Sequence, residues 1–168
     1  MSSAGVGTIG HLAGELFKMM AGVNLVHVPF AGNSPALTAL LGGQVDVSFA
    51  SLPSSIEFIR TGKLRGLAVT SATRLVALPD VAAGAESVPG YEVSAWYGVG
   101  APKGTPAEVV DKINKAIGAG LADAKLKARI ADFGGTPFTL SPADFGKFIA
   151  DETEKWATVI RAANIKPV

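Results

Sequence analysis

The sequence opens with Ser2-Ser3-Ala4-Gly5-Val6-Gly7-Thr8, a short stretch of small, uncharged residues that leads directly into an amphipathic helix. Apolar residues recur on one face of that helix at three- and four-residue spacing: Ile9, Leu12, Ala13, Leu16, Phe17 and Met20. The first backbone N–H groups of a helix lack partners within it, and the helix dipole adds partial positive charge there. Gly5 and Gly7 allow a ligand to approach the backbone closely. The stretch is therefore typical of an anion-binding loop, or of a turn that only starts a helix.

Composition narrows the classes of function. The chain has 168 residues, of which 48% are hydrophobic, so one domain with a real core can form. The net charge of +1 gives no basic field for nucleic acid, and the absence of cysteine excludes disulfides and thiolate chemistry. Neither His11 nor His27 has further ligands at metal-binding spacing, so the sequence predicts no metal and no cofactor.

The start of the chain shows no charged and apolar leader, so no signal peptide is recognisable, and no apolar run is long enough to span a membrane. An α/β unit normally has a strand before a glycine loop of this kind. We therefore expect the chain to be the C-terminal part of a longer protein.

Helices alternate with short apolar strands over the first half of the chain. The predicted strands are 24–30, 45–50 and 64–71. Ser34, as N-cap with Pro35 at the first helical position, predicts the start of one helix, and Ser51 predicts the start of the next. This alternation predicts an α/β fold with parallel strands and right-handed crossovers.

Ligands of open parallel sheets bind beyond the carboxyl ends of the strands. Three loops that open helices are predicted at that edge: 3–8, 31–34 and 50–54. None of them contains Lys, Arg, Asp or Glu, so a site there would bind through backbone N–H and hydroxyl groups. Two interpretations stay open at this point, a ligand cleft and ordinary helix capping.

Catalytic groups are scarce in the sequence. No serine lies in a nucleophile-elbow pattern, and no acid and base are paired. His27 alternates with apolar neighbours, which predicts a buried or edge histidine, whereas His11 either faces the cleft or is structural. Glu15 and Lys18 are predicted to lie on a solvated helix face.

The last third is predicted to be mostly helical, with a capping box at 105–108, a helix over 123–133, a short strand over 136–140 and a long helix from Ser141. The extended segment 93–101 before it is the predicted hinge. Trp96 and Tyr97 in that segment either stack on a ligand or pack between elements.

Several blocks resemble, in their order and spacing, the tripartite tricarboxylate transporter solute-binding proteins (the Bug or TctC-like family). They include Gly5-Val-Gly-Thr-Ile-Gly-His-Leu-Ala-Gly-Glu-Leu-Phe17 and Val26-His-Val-Pro-Phe-Ala-Gly-Asn-Ser-Pro-Ala-Leu37, then 41–45, 52–55, 62–65, 67–71, 78–81 and 101–106. The resemblance implies a periplasmic-binding-protein-like (type II) α/β fold with two lobes around a cleft. Residues 1–95 would form the second lobe with its first strand truncated, and 96–168 the mostly helical returning segment of an incomplete first lobe.

The resemblance also implies a function without catalysis: a periplasmic protein that captures a small carboxylate and presents it to a membrane permease by lobe closure near 94–100. The residues that match the family's ligand-binding loops are Ser3, Gly7, Thr8, Ala31, Gly32, Asn33 and Ser51. Ala50-Ser51 replaces the Asp-Asn of many relatives, which disfavours an amino-acid ligand.

Three alternatives to the solute-binding function remain open: a small-molecule enzyme, an effector-sensing module on the same scaffold, and a non-binding fragment. Such a fragment would dimerise to cover the surface left by the missing lobe.

Overall fold

Helices make up nearly half of residues 1–166, the part of the chain that this computed structural model describes. In chain order the elements are β1 (Ser2–Ser3), α1 (Ile9–Ala21), β2 (Val28–Pro29), α2 (Asn33–Leu41), α3 (Leu52–Arg60), a 3₁₀ turn (Gly84–Glu86), α4 (Ala107–Ala122), α5 (Ala124–Asp132) and α6 (Pro142–Ala162). No helix within the described residues is both long and apolar enough to cross a membrane.

The strands pair in parallel, as the alternation of helices and strands predicts. Ser2 lies opposite Val28 in the pair β1–β2, and a parallel bridge on its other side joins Ser2 to Ser48. The Ser2 N–H donates to the Val47 carbonyl at 2.8 Å. The first residues of the chain are therefore the centre of a small three-part parallel arrangement.

The predicted strands are wrong in extent. Only Val28–Pro29 of segment 24–30 is a strand, and 45–50 contributes the single bridge at Ser48. Segment 64–71 contributes one bridge, from Val69 to Ala83, and 136–140 is not a strand. A strand is defined by the backbone of a neighbour, and β1, at the centre, is only two residues long.

Two predicted helix starts are also wrong. The N-cap of α2 is Gly32, whose φ of 119° is a conformation that L side chains rarely adopt, so α2 begins before Ser34. The capping box at 105–108 does not form, because the Thr105 hydroxyl donates to the Pro102 carbonyl at 2.8 Å instead. The predicted start of α6 is confirmed, since Ser141 Oγ accepts the Asp144 N–H at 3.1 Å.

The core lies around α1. Ala13, Tyr91 and Val93 form its buried cluster, and Phe17 contacts the Tyr91 ring edge-on, with centroids 5.6 Å apart. Trp156 of α6, which is partly buried, packs against the same cluster. The C-terminal helix is thus attached to the first helix of the chain.

Burial is uneven along the chain. Among residues 1–166, Val159 is the one buried hydrophobic residue that comes after Val93. Helices α4 and α5, both fully described, contain no buried residue at all. The core is therefore built almost entirely by the first 93 residues.

Candidate functional site

The three helix-opening loops lie side by side, as predicted from the parallel arrangement. The Gly32 N–H donates to the Ala4 carbonyl at 3.0 Å, which joins the first loop to the second. The Asn33 side-chain amide donates to Ser51 Oγ at 3.0 Å, which joins the second loop to the third. The N-terminal ends of α1, α2 and α3 therefore share one edge of the molecule, and no charged residue lies in the loops.

The first loop is a tight turn that uses some of its own donors. Gly5 and Gly7 have positive φ angles, 140° and 73°. The Thr8 hydroxyl donates to the Gly5 carbonyl at 2.7 Å, and the Gly7 N–H donates to His11 Nδ1 at 3.1 Å. The Gly7 N–H and the Thr8 hydroxyl, both expected from sequence to face a ligand, are thus hydrogen-bonded within the loop and α1.

Ser3 lies beneath the loop rather than on its surface. Its exposed fraction is 1%, and its Oγ accepts the Gly5 N–H at 3.2 Å. A hydrogen bond of 2.7 Å also joins Ser3 Oγ to His27 Nε2. The Ser3 side chain therefore supports the loop.

Other backbone donors of the first helical turns are available. Within residues 1–166, six of these N–H groups donate to no protein acceptor: those of Ile9, Gly10, His11, Asn33, Ser34 and Leu52. Ala31 is exposed beside them, and the Ser51 hydroxyl lies 3.2 Å from that of Ser54. Neutral donors at three positive helix-dipole ends are suited to an anion.

His11 and His27 support the first loop through hydrogen bonds to Gly7 and Ser3, a role that the sequence did not predict. The rings of His11 and His27 stack with centroids 3.8 Å apart. His11 Nδ1 accepts a hydrogen bond, so that nitrogen carries no proton and the ring is neutral. Burial lowers the pKa of His11, and it lowers the pKa of His27 to about 4, with the neighbouring His11 adding to the effect.

Glu15 is buried, so its predicted place on a solvated face is wrong. Its Oε2 pairs with Lys18 Nζ at 2.9 Å, and its Oε1 lies 3.7 Å from His11 Nε2. The four-residue spacing of His11 and Glu15 on α1 was a signal in the sequence for this contact. The part of the chain that the structure describes holds no group of three His, Asp or Glu side chains placed to bind a metal ion.

The two aromatic residues of the predicted hinge have different surroundings. Trp96 packs edge-on against Phe145 and Phe148, at 5.7 and 5.2 Å between centroids. Tyr97 is 87% exposed. Trp96 is therefore a packing residue, the second of the two alternatives left by the sequence.

Comparison with known proteins identifies the family. The family profile described as "Tripartite tricarboxylate transporter family receptor" matches residues 1–165. The chain belongs to this family. A UPF0065 protein from the tcbD-tcbE intergenic region of Pseudomonas sp. (strain P51) is 43% identical over 166 residues, covering 95% of this chain and 48% of the relative.

Solved structures of receptors similar to this chain have the same fold. R. palustris Rpa4515 with adipate matches with a TM-score of 0.91 at 37% identity, over 99% of this chain and 56% of that one. Periplasmic binding protein BugD matches with a TM-score of 0.84 at 35% identity, over 98% of this chain and 56% of that one. MatC from Rhodopseudomonas palustris with bound malate matches with a TM-score of 0.83 at 31% identity, over 95% of this chain and 55% of that one.

The fold prediction is confirmed: this receptor-family chain has the α/β fold of periplasmic binding proteins, with a small parallel sheet and many helices. The chain spans about half the length of most of the curated relatives it matches.

Proposed function

We propose that this chain takes part in capturing a small carboxylate, as an extracytoplasmic solute-binding protein of a tripartite transporter. The observation that carries the proposal is the meeting of three uncharged helix N-termini, joined through Ala4, Gly32, Asn33 and Ser51. Their unpaired N–H groups offer donors to an anion without a neutralising cation, so the ligand can be released again. The adipate and malate in the similar receptors are both dicarboxylates, and they support the same ligand class here.

Ser3, Gly7, Thr8, Ala31, Gly32, Asn33 and Ser51 remain the proposed ligand-binding set, with roles divided by the hydrogen bonds around them. Asn33 and Ser51, both half-buried, meet at the junction between loops, and Ala31 is exposed. Ser3, Gly7 and Thr8 hold the first loop in shape through His27, His11 and Gly5 respectively, which leaves the first-turn N–H groups of α1 to face a ligand.

The proposed mechanism is binding and closure without a chemical step. A catalytic alternative would have to start from the Ser3–His27 pair, the hydroxyl and imidazole that lie within hydrogen-bond distance in this region. Ser3 is buried, and its oxygen already has two neighbours on the protein, so a substrate carbonyl has no path to it. This arrangement favours a receptor over an enzyme.

In the whole protein, residues 1–95 belong to one ligand-binding lobe and 96–168 contribute to the other. The concentration of buried residues before Val93 supports this division. Closure about residues 94–100 covers the carboxylate in the periplasm and creates the surface that a membrane permease recognises.

The test is calorimetric titration with adipate, malate and acetate, with hexamethylenediamine as a ligand of adipate's length that lacks carboxylates. The decisive variant is Asn33→Asp, which replaces the amide that donates to Ser51 Oγ with a carboxylate able to accept from the Ser51 hydroxyl, and places a negative charge among the donors. We expect affinity for carboxylates to fall at least about tenfold through charge repulsion. An acidic residue in the first turn of α2 interacts favourably with the helix dipole, so unfolding of the variant does not explain the loss of affinity.

The matched control is Asn24→Asp, the same substitution at an exposed residue beyond the far end of α1. That helix has 13 residues and is therefore about 20 Å long, well beyond the screening length. Equal affinities of the two variants, or binding of the diamine in place of the carboxylates, contradict the proposal.

A further inference from the structure

The C-terminal helix α6 runs alongside the hinge segment, residues 94–100, and is attached to the molecule on both sides of it. Trp156, in the second half of the helix, packs against the core cluster that contains Val93, the residue just before the hinge segment. Val159, three residues further on, is buried. The second half of α6 is therefore held by the part of the molecule that residues 1–95 form.

The first half of α6 packs on the other side of the same crossing. The rings of Phe145 and Phe148 meet Trp96 edge-on, with centroids 5.7 and 5.2 Å apart. Phe148 also contacts Phe138, with centroids 6.0 Å apart, which joins it to the segment before α6. A Cβ at Gly98 would overlap the Phe145 ring, so the crossing lies directly against this half of the helix. The first half of α6 is therefore held by the returning segment.

Between these two attachments, α6 has a solvent-exposed stretch. Of residues 149–155, only Glu152 is partly buried, and the other six are exposed. The carboxylate of Glu152 is engaged within the helix, because it accepts the Trp156 Nε1–H at 3.0 Å. Residues 94–95, which lie between the hinge positions that the two halves of α6 contact, are also exposed. Both connections between the two parts of the molecule are therefore exposed at the same level.

We propose that α6 is a second hinge of the receptor, which bends within residues 149–155 when the lobes move. The proposal deepens the closure described under the proposed function and rests on the division into lobes made there. Motion about the hinge segment changes the angle between the lobes, so a helix attached to both must bend, or one attachment must slide. Sliding exposes apolar side chains to water at one end of α6, whereas bending the exposed middle uncovers no apolar surface.

Thr153 gives the middle of α6 a feature that suits bending. Its hydroxyl donates to the Ile149 carbonyl at 2.7 Å, four residues back along the helix. Threonine hydrogen bonds of this kind slightly destabilise helices and often bend them. If the main-chain hydrogen bond to the Ile149 carbonyl lengthens, that carbonyl keeps the hydroxyl as a donor. Bending at this level therefore leaves no carbonyl without a partner.

The experiment is amide hydrogen exchange along α6 in the whole 168-residue chain, followed residue by residue by NMR and expressed relative to the intrinsic rate of each amide. We expect the amides of 152–155 to exchange at least tenfold faster than those of 148–149 and 158–160. Thr153→Ala removes the hydroxyl donor and introduces a better helix former. It should slow exchange at 152–155 at least threefold, and circular dichroism should show the same fold.

The matched control is Thr158→Ala on the same helix. Thr158 is also exposed, and its hydroxyl donates to the Glu154 carbonyl at 3.2 Å. The substitution therefore removes the same kind of hydrogen bond, but from a residue in the half of α6 that Trp156 and Val159 attach to the core. It should change exchange at 152–155 less than twofold.

A second measurement follows the motion between the lobes directly. The chain has no cysteine, so Lys63→Cys after α3 and Lys115→Cys on α4, both at exposed positions, allow two spin labels to be attached. Pulsed electron paramagnetic resonance then gives the distribution of distances between the labels. We expect Thr153→Ala to narrow that distribution and Thr158→Ala to leave it unchanged.

Two results overturn the proposal. The first is uniform protection of the amides along α6. The second is a pair of threonine variants that change the exchange rates and the label distances alike, which assigns the motion to sliding at an attachment. No carboxylate is added, so these results do not depend on whether the three loops bind one.

Discussion

The imidazole rings of His11 and His27 stack almost parallel, with their planes inclined by 9° and their centroids 3.8 Å apart. One ring accepts the Gly7 N–H and the other is hydrogen-bonded to Ser3, so the pair holds both ends of the first loop. Two protonated rings at this distance would repel each other, and protonated His11 could not accept the Gly7 hydrogen bond. The arrangement therefore depends on neutral rings.

The first prediction concerns pH. Burial lowers the pKa of His27 to about 4 in the folded chain, with His11 and Lys18 acting in the same direction and Glu15 opposing them. Unfolded, the histidine has a pKa of about 6.5. Between these values only the unfolded chain binds the proton, so the free energy of unfolding falls as the pH is lowered from 6.5 to 4. We expect a loss of about 2 kcal/mol, measured by urea unfolding.

The control for this pH dependence is His27→Gln, whose amide does not titrate and can still bond to Ser3. Its unfolding free energy should change less between pH 6.5 and 4 than that of the parent chain. An unchanged slope in the variant would show that other groups, and not His27, cause the dependence.

The second prediction distinguishes two contributions of His11: the hydrogen bond that its Nδ1 accepts from the Gly7 N–H, and the stacking of its ring on His27. His11→Phe keeps an aromatic ring against His27 but removes the acceptor for the Gly7 N–H, at a cost of about 1–3 kcal/mol. His11→Asn keeps a side-chain acceptor near the position of Nδ1 but removes the stack. Hydrogen exchange of the Gly7 amide should accelerate in the phenylalanine variant more than in the asparagine variant. The reverse order would assign the bracing to ring stacking alone.

A third prediction tests the contact of α1 with segment 45–50. A Cβ at Gly10 would lie 2.3 Å from the Phe49 carbonyl oxygen, so Gly10→Ala forces the helix away from the backbone beside β1. We expect a destabilisation of about 1–3 kcal/mol in thermal or urea unfolding. Gly146→Ala on α6 meets no atom within 4 Å and should stabilise by about 0.5–1 kcal/mol. Equal effects of the two substitutions would contradict the close approach.

The fourth prediction concerns the hydrogen bond that anchors Tyr91 to α1. Its hydroxyl donates to the Ala13 carbonyl at 3.1 Å, and burial raises the pKa of this hydroxyl to about 12. Tyr91→Phe removes the donor and should lower the free energy of unfolding by about 1 kcal/mol. Tyr97→Phe makes the same change at an exposed ring and should have no effect. The prediction fails if chemical denaturation gives the two variants the same stability.

Sequence reasoning succeeded where structure is determined locally. The periodicity of α1 and the Ser141-Pro142 start of α6 depend on neighbours within one or two turns, and both predictions are confirmed. The strands at 45–50 and 64–71 were predicted too long because pairing depends on backbone that is distant in sequence.

One feature of the candidate site was predictable from the sequence, and another was not. The meeting of the three loops follows from parallel topology and was predicted. The stacking of His11 on His27 was not predictable, since it requires segment 24–30 to run beside the start of α1. Neither residue type nor spacing indicates that contact.

The available donors at the three loops are backbone N–H groups, and this bears on how such receptors diverge. Substitution of a side chain leaves a main-chain donor in place, so relatives with few identical side chains there can present the same atoms to a ligand. Under the proposed function, a receptor of this kind would depend on the glycines and on the two stacked rings beneath the first loop, which set the direction of those N–H groups.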